Sequence, residues 1–160
     1  MIPLYYDLHI HSCLSPCGDD DMTPSNITGM AAVKNLDVIA LTDHNSCRNC
    51  PAAIEAGKRL GITVLPGMEL TTSEEIHVLF LFASLGRALS FDAYVYEHLL
   101  PVRNRPEIFG TQLIVDENDK VSGSLDKLLI SATDIPFDET GKLADSFGGI
   151  CFPAHLAKSY

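Results

Sequence analysis

Asp7-Leu8-His9-Ile10-His11 is the stretch of the chain with the clearest chemistry. On an extended backbone, side chains two apart share a face and lie roughly 6.5 to 7 Å apart, so His9 and His11 could approach one metal ion together. Asp7 has the same parity and could accept a proton from a ligand histidine, which would fix its tautomer. A single His-x-His recurs by chance, so its meaning depends on what else converges. Asp43-His44 follows the apolar run Asp37 to Thr42, and His155 follows Ile150 to Ala154. Glu69 follows Ile62 to Leu65 in Pro66-Gly67-Met68-Glu69, where a tight turn would aim its carboxylate across the same end of the sheet. All three positions would be carboxyl ends of strands, where α/β sheets and barrels build sites from separate loops. His77 opens the apolar run HVLFLF, and its type alone fits either core packing or ligation. His98 lies within an apparent helix and reads as a surface or packing residue.

Cys47-Arg48-Asn49-Cys50 has the spacing of a redox pair or half a zinc site, but no second Cys-x-x-Cys exists to complete one. Local packing is the plainer reading for both thiols, and Cys13 and Cys151 read as buried small hydrophobes. Arg48, close after His44, could present its fork of donors to a substrate phosphate, and Lys158 is a similar candidate just past His155.

The elements that must position these groups follow from apolar patterning. Pro3 to Ile10 reads as a buried strand. Thr23-Pro24 then caps a helix from Pro24 to Asn35, and Asp37 to Thr42 is a second strand. Ala52 to Leu60 is a helix ended by Gly61, and Ile62 to Leu65 a third strand. Strand, helix, strand, helix, strand calls for a parallel sheet or barrel with right-handed crossovers. His77 to Ala83 is continuously apolar, like a strand covered on both faces, and Ser90 would cap a helix from Phe91 to about Leu100. Ile108 to Val115 and Val121 to Ser124, around the polar turn Asp116 to Lys120, form an inserted β-hairpin. A helix around Phe137 to Phe147, ended by Gly148-Gly149, leads to the strand Ile150 to Ala154.

With 160 residues and 46% hydrophobic, the chain is a single α/β domain with a real core. Its longest apolar run is far short of the roughly 18 residues that span a bilayer. The 11 basic and 21 acidic residues give a net charge of −10, which argues against an extensive nucleic-acid surface. Five cysteines and no leader pattern place the expectation in the reducing cytoplasm.

Taken in order, Asp7-Leu8-His9-Ile10-His11-Ser12, Leu41-Thr42-Asp43-His44-Asn45, Gly67-Met68-Glu69 and Pro153-Ala154-His155 resemble the motifs of the PHP domain, the polymerase and histidinol phosphatase superfamily of metal-dependent phosphoesterases. The resemblance runs over nearly the whole chain. It implies a distorted seven-stranded α/β barrel whose cleft holds two or three divalent ions (zinc, iron or manganese), and it makes His77 a ligand. It implies that His9 and His11 hold one ion, that Glu69 bridges two, that His44 serves a second site, and that His77 and His155 serve a third. It also implies hydrolysis of a small phosphate ester or nucleotide by a metal-activated water, with Asp43, His44 and Glu69 as catalytic groups and Asp43 also supporting a ligand.

Two departures from the family pattern matter. Relatives often carry an acidic residue or histidine after the first motif, where this chain has Ser15-Pro16-Cys17-Gly18. Cys17 is the preferred replacement ligand, as a thiolate suited to zinc or ferrous iron, with Asp19 as the alternative. Relatives also end on an Asp-x-His motif, and none follows His155. The expectation is therefore a barrel incomplete at its C-terminal end, whose open edge favours self-association. A non-catalytic metal-binding or assembly module and a nuclease are the rival functions.

Overall fold

The computed structural model describes residues 3–155. Thr23 opens the first helix as expected: its hydroxyl accepts the Asn26 N–H, and Pro24 sits in the first turn. Strand β1 (Tyr6–Ile10) precedes this helix, α1 (Pro24–Val33), and β2 (Val38–Leu41) follows it. Helix α2 (Cys50–Leu60) ends on Gly61, which adopts the left-handed conformation at φ 73°. Then come β3 (Thr63–Thr71), β4 (His77–Phe82) and α3 (Leu85–His98). A short helix α4 (Pro106–Phe109) leads into the hairpin β5 (Leu113–Val115) and β6 (Val121–Ser124). A 3-10 turn at Phe137–Glu139 precedes α5 (Thr140–Phe147), and β7 (Gly149–Pro153) is the last strand described.

The result is a mixed α/β fold. Five strands form one sheet in the order β1-β2-β3-β4-β7, and β5-β6 stand apart. Strands β1, β2 and β3 are parallel, as the sequence predicts, but β4 runs antiparallel to β3 and β7 antiparallel to β4. Within the described residues β1 and β7 each pair on one side only, so the sheet has two open edges. Position at an edge explains why β1 is not the buried strand its composition suggests: Tyr6 is 63% exposed.

Three boundaries differ from expectation for local physical reasons. The third strand does not stop at Leu65 but continues to Thr71, because its first half pairs with β2 and its second half with β4. Gly67 permits that change of partner: a Cβ there would meet the Phe80 carbonyl oxygen at 2.6 Å. Helix α3 begins at Leu85 rather than Phe91, since the buried positions Ala88, Phe91 and Val95 already follow helical spacing. Ser90 is therefore interior, and its hydroxyl donates back to the Gly86 carbonyl instead of capping. Ile108 lies in α4, so the hairpin begins later than Ile108.

The main core packs Met68, Leu70, Phe80 and Phe82 of the sheet against Phe91, Val95 and α2. A second cluster, Leu14, Leu99 and Leu129, ties the loop after β1 to the segment containing the hairpin. Replacing Gly67 with alanine should destabilise the fold by about 1–3 kcal/mol through overpacking against backbone. Gly29→Ala, where nothing lies within 4 Å of the added methyl, should stabilise by about 0.5–1 kcal/mol. Urea titrations of the two variants read both signs, and a Gly67→Ala variant as stable as wild type would contradict the close approach.

Candidate metal centre

Glu69 is 1% exposed and sits in the middle of the sheet, where an isolated carboxylate is costly. Its position is set by backbone pairing: the Glu69 N–H donates to the Asp43 carbonyl and the Asn45 N–H donates to the Glu69 carbonyl. His44, between those two residues, is thereby held beside Glu69 in an isolated parallel bridge. Asn45 makes the bend after β2 by adopting a left-handed φ of 49°, which asparagine tolerates better than most residues. Its side chain donates to the Leu129 and Ser131 carbonyls and accepts the Thr71 N–H.

Five imidazoles surround the carboxylate. Oε2 lies 2.9 Å from His11 Nε2, 3.1 Å from His9 Nε2 and 3.4 Å from His44 Nδ1. Oε1 lies 3.0 Å from His77 Nδ1 and 3.3 Å from His155 Nε2. The rings form a closed circuit, His9 to His11 to His44 to His77 to His155 and back to His9, with successive centroids 4.6–6.0 Å apart. Reversal of β4 explains how His77, the first residue of its strand, reaches the carboxyl end of the parallel strands. Thr71 is its pairing partner, and the diagonal from Thr71's strand neighbour Glu69 brings the side chains together. The Ala154 N–H donates to the His77 carbonyl, which seats His155 at the rim.

The donor set fits divalent cations. Several acceptor-type atoms face one another at close to 3 Å, the spacing of ligands around a shared ion with bonds of about 2.1 Å. Glu69 Oε2 and His44 Nδ1 are both buried, and neither has a well-aligned hydrogen-bond partner among the described residues. Such orphaned buried atoms are costly unless something cationic satisfies them. Three overlapping sets have ligand atoms within 4.8 Å of one another: His9, His11 and Glu69; His44, Glu69 and His77; and His11, Cys17 and His44.

Electrostatics agree. Burial alone would raise the Glu69 carboxyl, but His11, His77 and His9 outweigh it and hold the group far below its ordinary range. Burial opposes protonation of His11 too, yet interactions with Cys17 and Glu69 prevail and raise it to about 10. Burial, with the neighbouring His11 charge, pushes His44 down to about 3, leaving a neutral imidazole able to act as a ligand.

Cys17 is exposed and lies within the ligand set with His11 and His44, whereas the Asp19 carboxylate accepts the Asp21 N–H and joins none of the three sets. Asp7 does not take the expected supporting role: it is exposed, and its carboxylate accepts the backbone N–H of His9 instead of an imidazole proton. Asp43 is buried, and its oxygens accept from the Ser12 N–H at 2.6 Å, the Ser12 hydroxyl at 2.6 Å and the Ser15 hydroxyl at 2.7 Å. Burial pushes its carboxyl up against those hydrogen bonds, and its place behind the ligands suits support rather than proton transfer to substrate. Arg48 is tied through Nε to the buried Asp92 at 2.6 Å, which leaves its terminal nitrogens outside that bond. Lys158 lies outside the described residues. Cys47 and Cys50 are packed thiols facing the Gly67 carbonyl, and His98 bonds Asp134 away from the centre.

Sequence reasoning missed Ser12, Ser15 and Asn49. Asn49 donates to the Ser12 hydroxyl and the Leu113 carbonyl and accepts the Val115 N–H, so it joins the β5 strand to the first motif. Their signal was present as small polar residues beside His11 and His44, but such residues usually mark turns.

Comparisons with known proteins point the same way. The profile of the PHP domain matches residues 7–144. An uncharacterised protein of Methanocaldococcus jannaschii is 37% identical over 93 residues, covering 52% of this chain and 54% of that protein. A 5'-3' exoribonuclease of Haemophilus influenzae is 34% identical over 79 residues, covering 48% of this chain and 28% of the enzyme. The matches thus span about half or less of these relatives' lengths. Among solved structures, one described as a candidate metal-dependent phosphoesterase from Bifidobacterium adolescentis superposes with a TM-score of 0.66 at 19% identity, covering 98% of this chain and 68% of the other. That likeness concerns the fold, whereas the family match extends through the residues that build the histidine ring as far as His77, and on this ground the chain belongs to the PHP domain family.

Proposed function

We propose that the protein is a metal-dependent phosphoesterase that hydrolyses a small phosphate ester or nucleotide. The observation that carries this reading is the closed ring of five histidines around one buried carboxylate, with ligand atoms left unsatisfied. Two or three divalent ions (zinc, iron or manganese) held there would supply Lewis-acid charge at a phosphoryl oxygen and a water of lowered pKa. The two oxygens of Glu69 divide the ring: Oε2 faces His9, His11 and His44, and Oε1 faces His77 and His155. That division suits a bridging carboxylate. Cys17 adds a softer donor beside His11 and His44. No covalent nucleophile is required of the protein. Its work is to hold the ligands, to keep Asp43 and the serines behind them, and to offer Arg48 to the substrate phosphate at the end of an arm anchored by Asp92.

The mixed sheet is proposed to form part of a barrel of the PHP type, with β1 and β7 as its unpaired edges among the described residues. The Haemophilus relative, by its name, cleaves RNA from an end, and the same centre could serve such a bond. A net charge of −10 favours a small substrate over a long strand, since a strand-tracking groove needs clustered Lys and Arg. The chain's compartment is proposed to be the cytoplasm; among the described residues, no helix is long and apolar enough to cross a membrane.

Elemental mass spectrometry on protein purified without chelator should find two or more zinc, iron or manganese ions per chain; zero or one would overturn the multi-ion reading. Glu69→Gln, which keeps the shape and removes the charge, should reduce metal content and lower phosphate-ester turnover by about 100-fold or more with an unchanged circular dichroism spectrum. Retention of over a tenth of wild-type turnover would sink the assignment. Cys17→Asp should weaken zinc binding relative to manganese, because it exchanges a soft thiolate for a hard carboxylate. Competition titrations with both ions read that ratio, and an unchanged ratio would remove Cys17 from the ligand set.

A further inference from the structure

The Ser15 hydroxyl has one proton to donate and two lone pairs to fill. Three groups lie around it: the Asp43 carboxylate at 2.7 Å, the His44 backbone N–H at 3.0 Å and His11 Nδ1 at 3.1 Å. Which of these receives the proton can be settled by counting. The His44 N–H can only donate, so it takes one lone pair. Ionised, Asp43 can only accept, and it faces three groups that donate to it. The Ser12 N–H has no alternative. The Ser12 hydroxyl already accepts from the Leu14 N–H at 3.2 Å and from Asn49 Nδ2 at 3.0 Å, so its proton goes to Asp43. Asp43 is therefore an acceptor only, and Ser15 must donate to it. One lone pair of Ser15 then remains, and among the described residues only a protonated His11 Nδ1 is placed to fill it.

We propose that Ser15 is a positioning residue that keeps the proton of His11 on Nδ1, so that the Nε2 lone pair faces His9 and Glu69. Resting on the metal-centre reading, the proposal names the group that sets one ligand's tautomer, the task the sequence assigned to Asp7. Neutral imidazole otherwise has both tautomers available, and the one with the proton on Nε2 would point that proton where a cation must bind. Through its second lone pair Ser15 also fixes the backbone of His44, so one hydroxyl registers ligands that follow two strands, β1 and β2. Ser15 is 2% exposed, so bulk water does not compete for these bonds.

Nitrogen-15 NMR of histidine-labelled protein tests this directly, with His11 assigned by the signal lost in His11→Asn. After zinc loading, the bound nitrogen should be Nε2, and Nδ1 should keep its proton, slow to exchange. Ser15→Ala should make that proton exchange rapidly and raise the zinc dissociation constant, measured by chelator competition, by about 10- to 100-fold. Ser15→Thr, which keeps the hydroxyl, should retain the slow proton. An unprotonated Nδ1 in the metal-free protein, coordination through Nδ1, or a Ser15→Ala affinity within about fivefold of wild type would overturn the proposal. Should wild type bind no zinc, the metal reading fails, while a metal-free spectrum recorded above the His11 pKa of about 10, where the ring is neutral, still decides the tautomer. Should Ser15→Ala not fold, the wild-type spectra carry the test alone.

Discussion

A single buried carboxylate governs this structure. Glu69 has almost no access to water, and five imidazoles turn towards it, His9 and His77 from strands and His11, His44 and His155 from just beyond strand ends. Neutral imidazoles can partly solvate such a charge, but Oε2 and His44 Nδ1 still lack aligned partners. Without a cation, the imidazoles alone balance its charge, and its pull is part of what raises His11. A divalent ion does the same work with more charge and satisfies several lone pairs together. The arrangement is thus expensive as a piece of core and sensible as a cation site, and that difference separates it from a packed polar network.

The topology follows from the need to bring these side chains to one end. Parallel β1, β2 and β3 deliver His9, His11, His44 and Glu69 from their carboxyl-terminal halves or the loops beyond. A fourth strand running the same way would put its first residue at the far end. Turning β4 back on β3 puts His77 beside Glu69 through a short connection, and β7, antiparallel to β4, again ends at the site and delivers His155. Gly67 is the joint of this scheme, because β3 must change partners within two residues of the carboxylate and has no room there for a side chain.

Much of this was legible in the sequence. His-x-His, the histidine after the second strand and the histidine after the last one could be placed from strand periodicity and the rule that sites gather at carboxyl ends. What periodicity could not show was direction. His77 reads as the start of an apolar strand, and only pairing reveals that this start lies at the mouth. Glu69 was expected in a turn because Pro66-Gly67 suggests one, but here the glycine relieves a close approach inside a continuous strand. Asp7 had the right parity, yet it lies on an exposed edge where its nearest donor is the His9 backbone. The serines and asparagines that do hold the ligands carry no periodic signal, since, apart from the short contacts of Ser15 with His11 and Ser12 with Leu14, these partners are 26 to 86 residues away in the chain.

Those long-range bonds give the hairpin segment its place in the argument. Leu113 and Val115 of β5 grip the Asn49 amide, Asn49 grips Ser12, Ser12 and Ser15 share Asp43, and Ser15 reaches His11. Most links in this chain are buried, where each bond is stronger than in water and each broken one strands a donor or acceptor at a cost of about 1–3 kcal/mol. Asn45 makes a parallel link from the His44 loop to Leu129 and Ser131. The inserted segment therefore braces the ligand loops from behind. Its partly exposed turn, Asp116 to Lys120, can differ in sequence without disturbing the ligands, whereas Asn45, Asn49, Ser12 and Ser15 have little freedom, because each satisfies more than one partner at once.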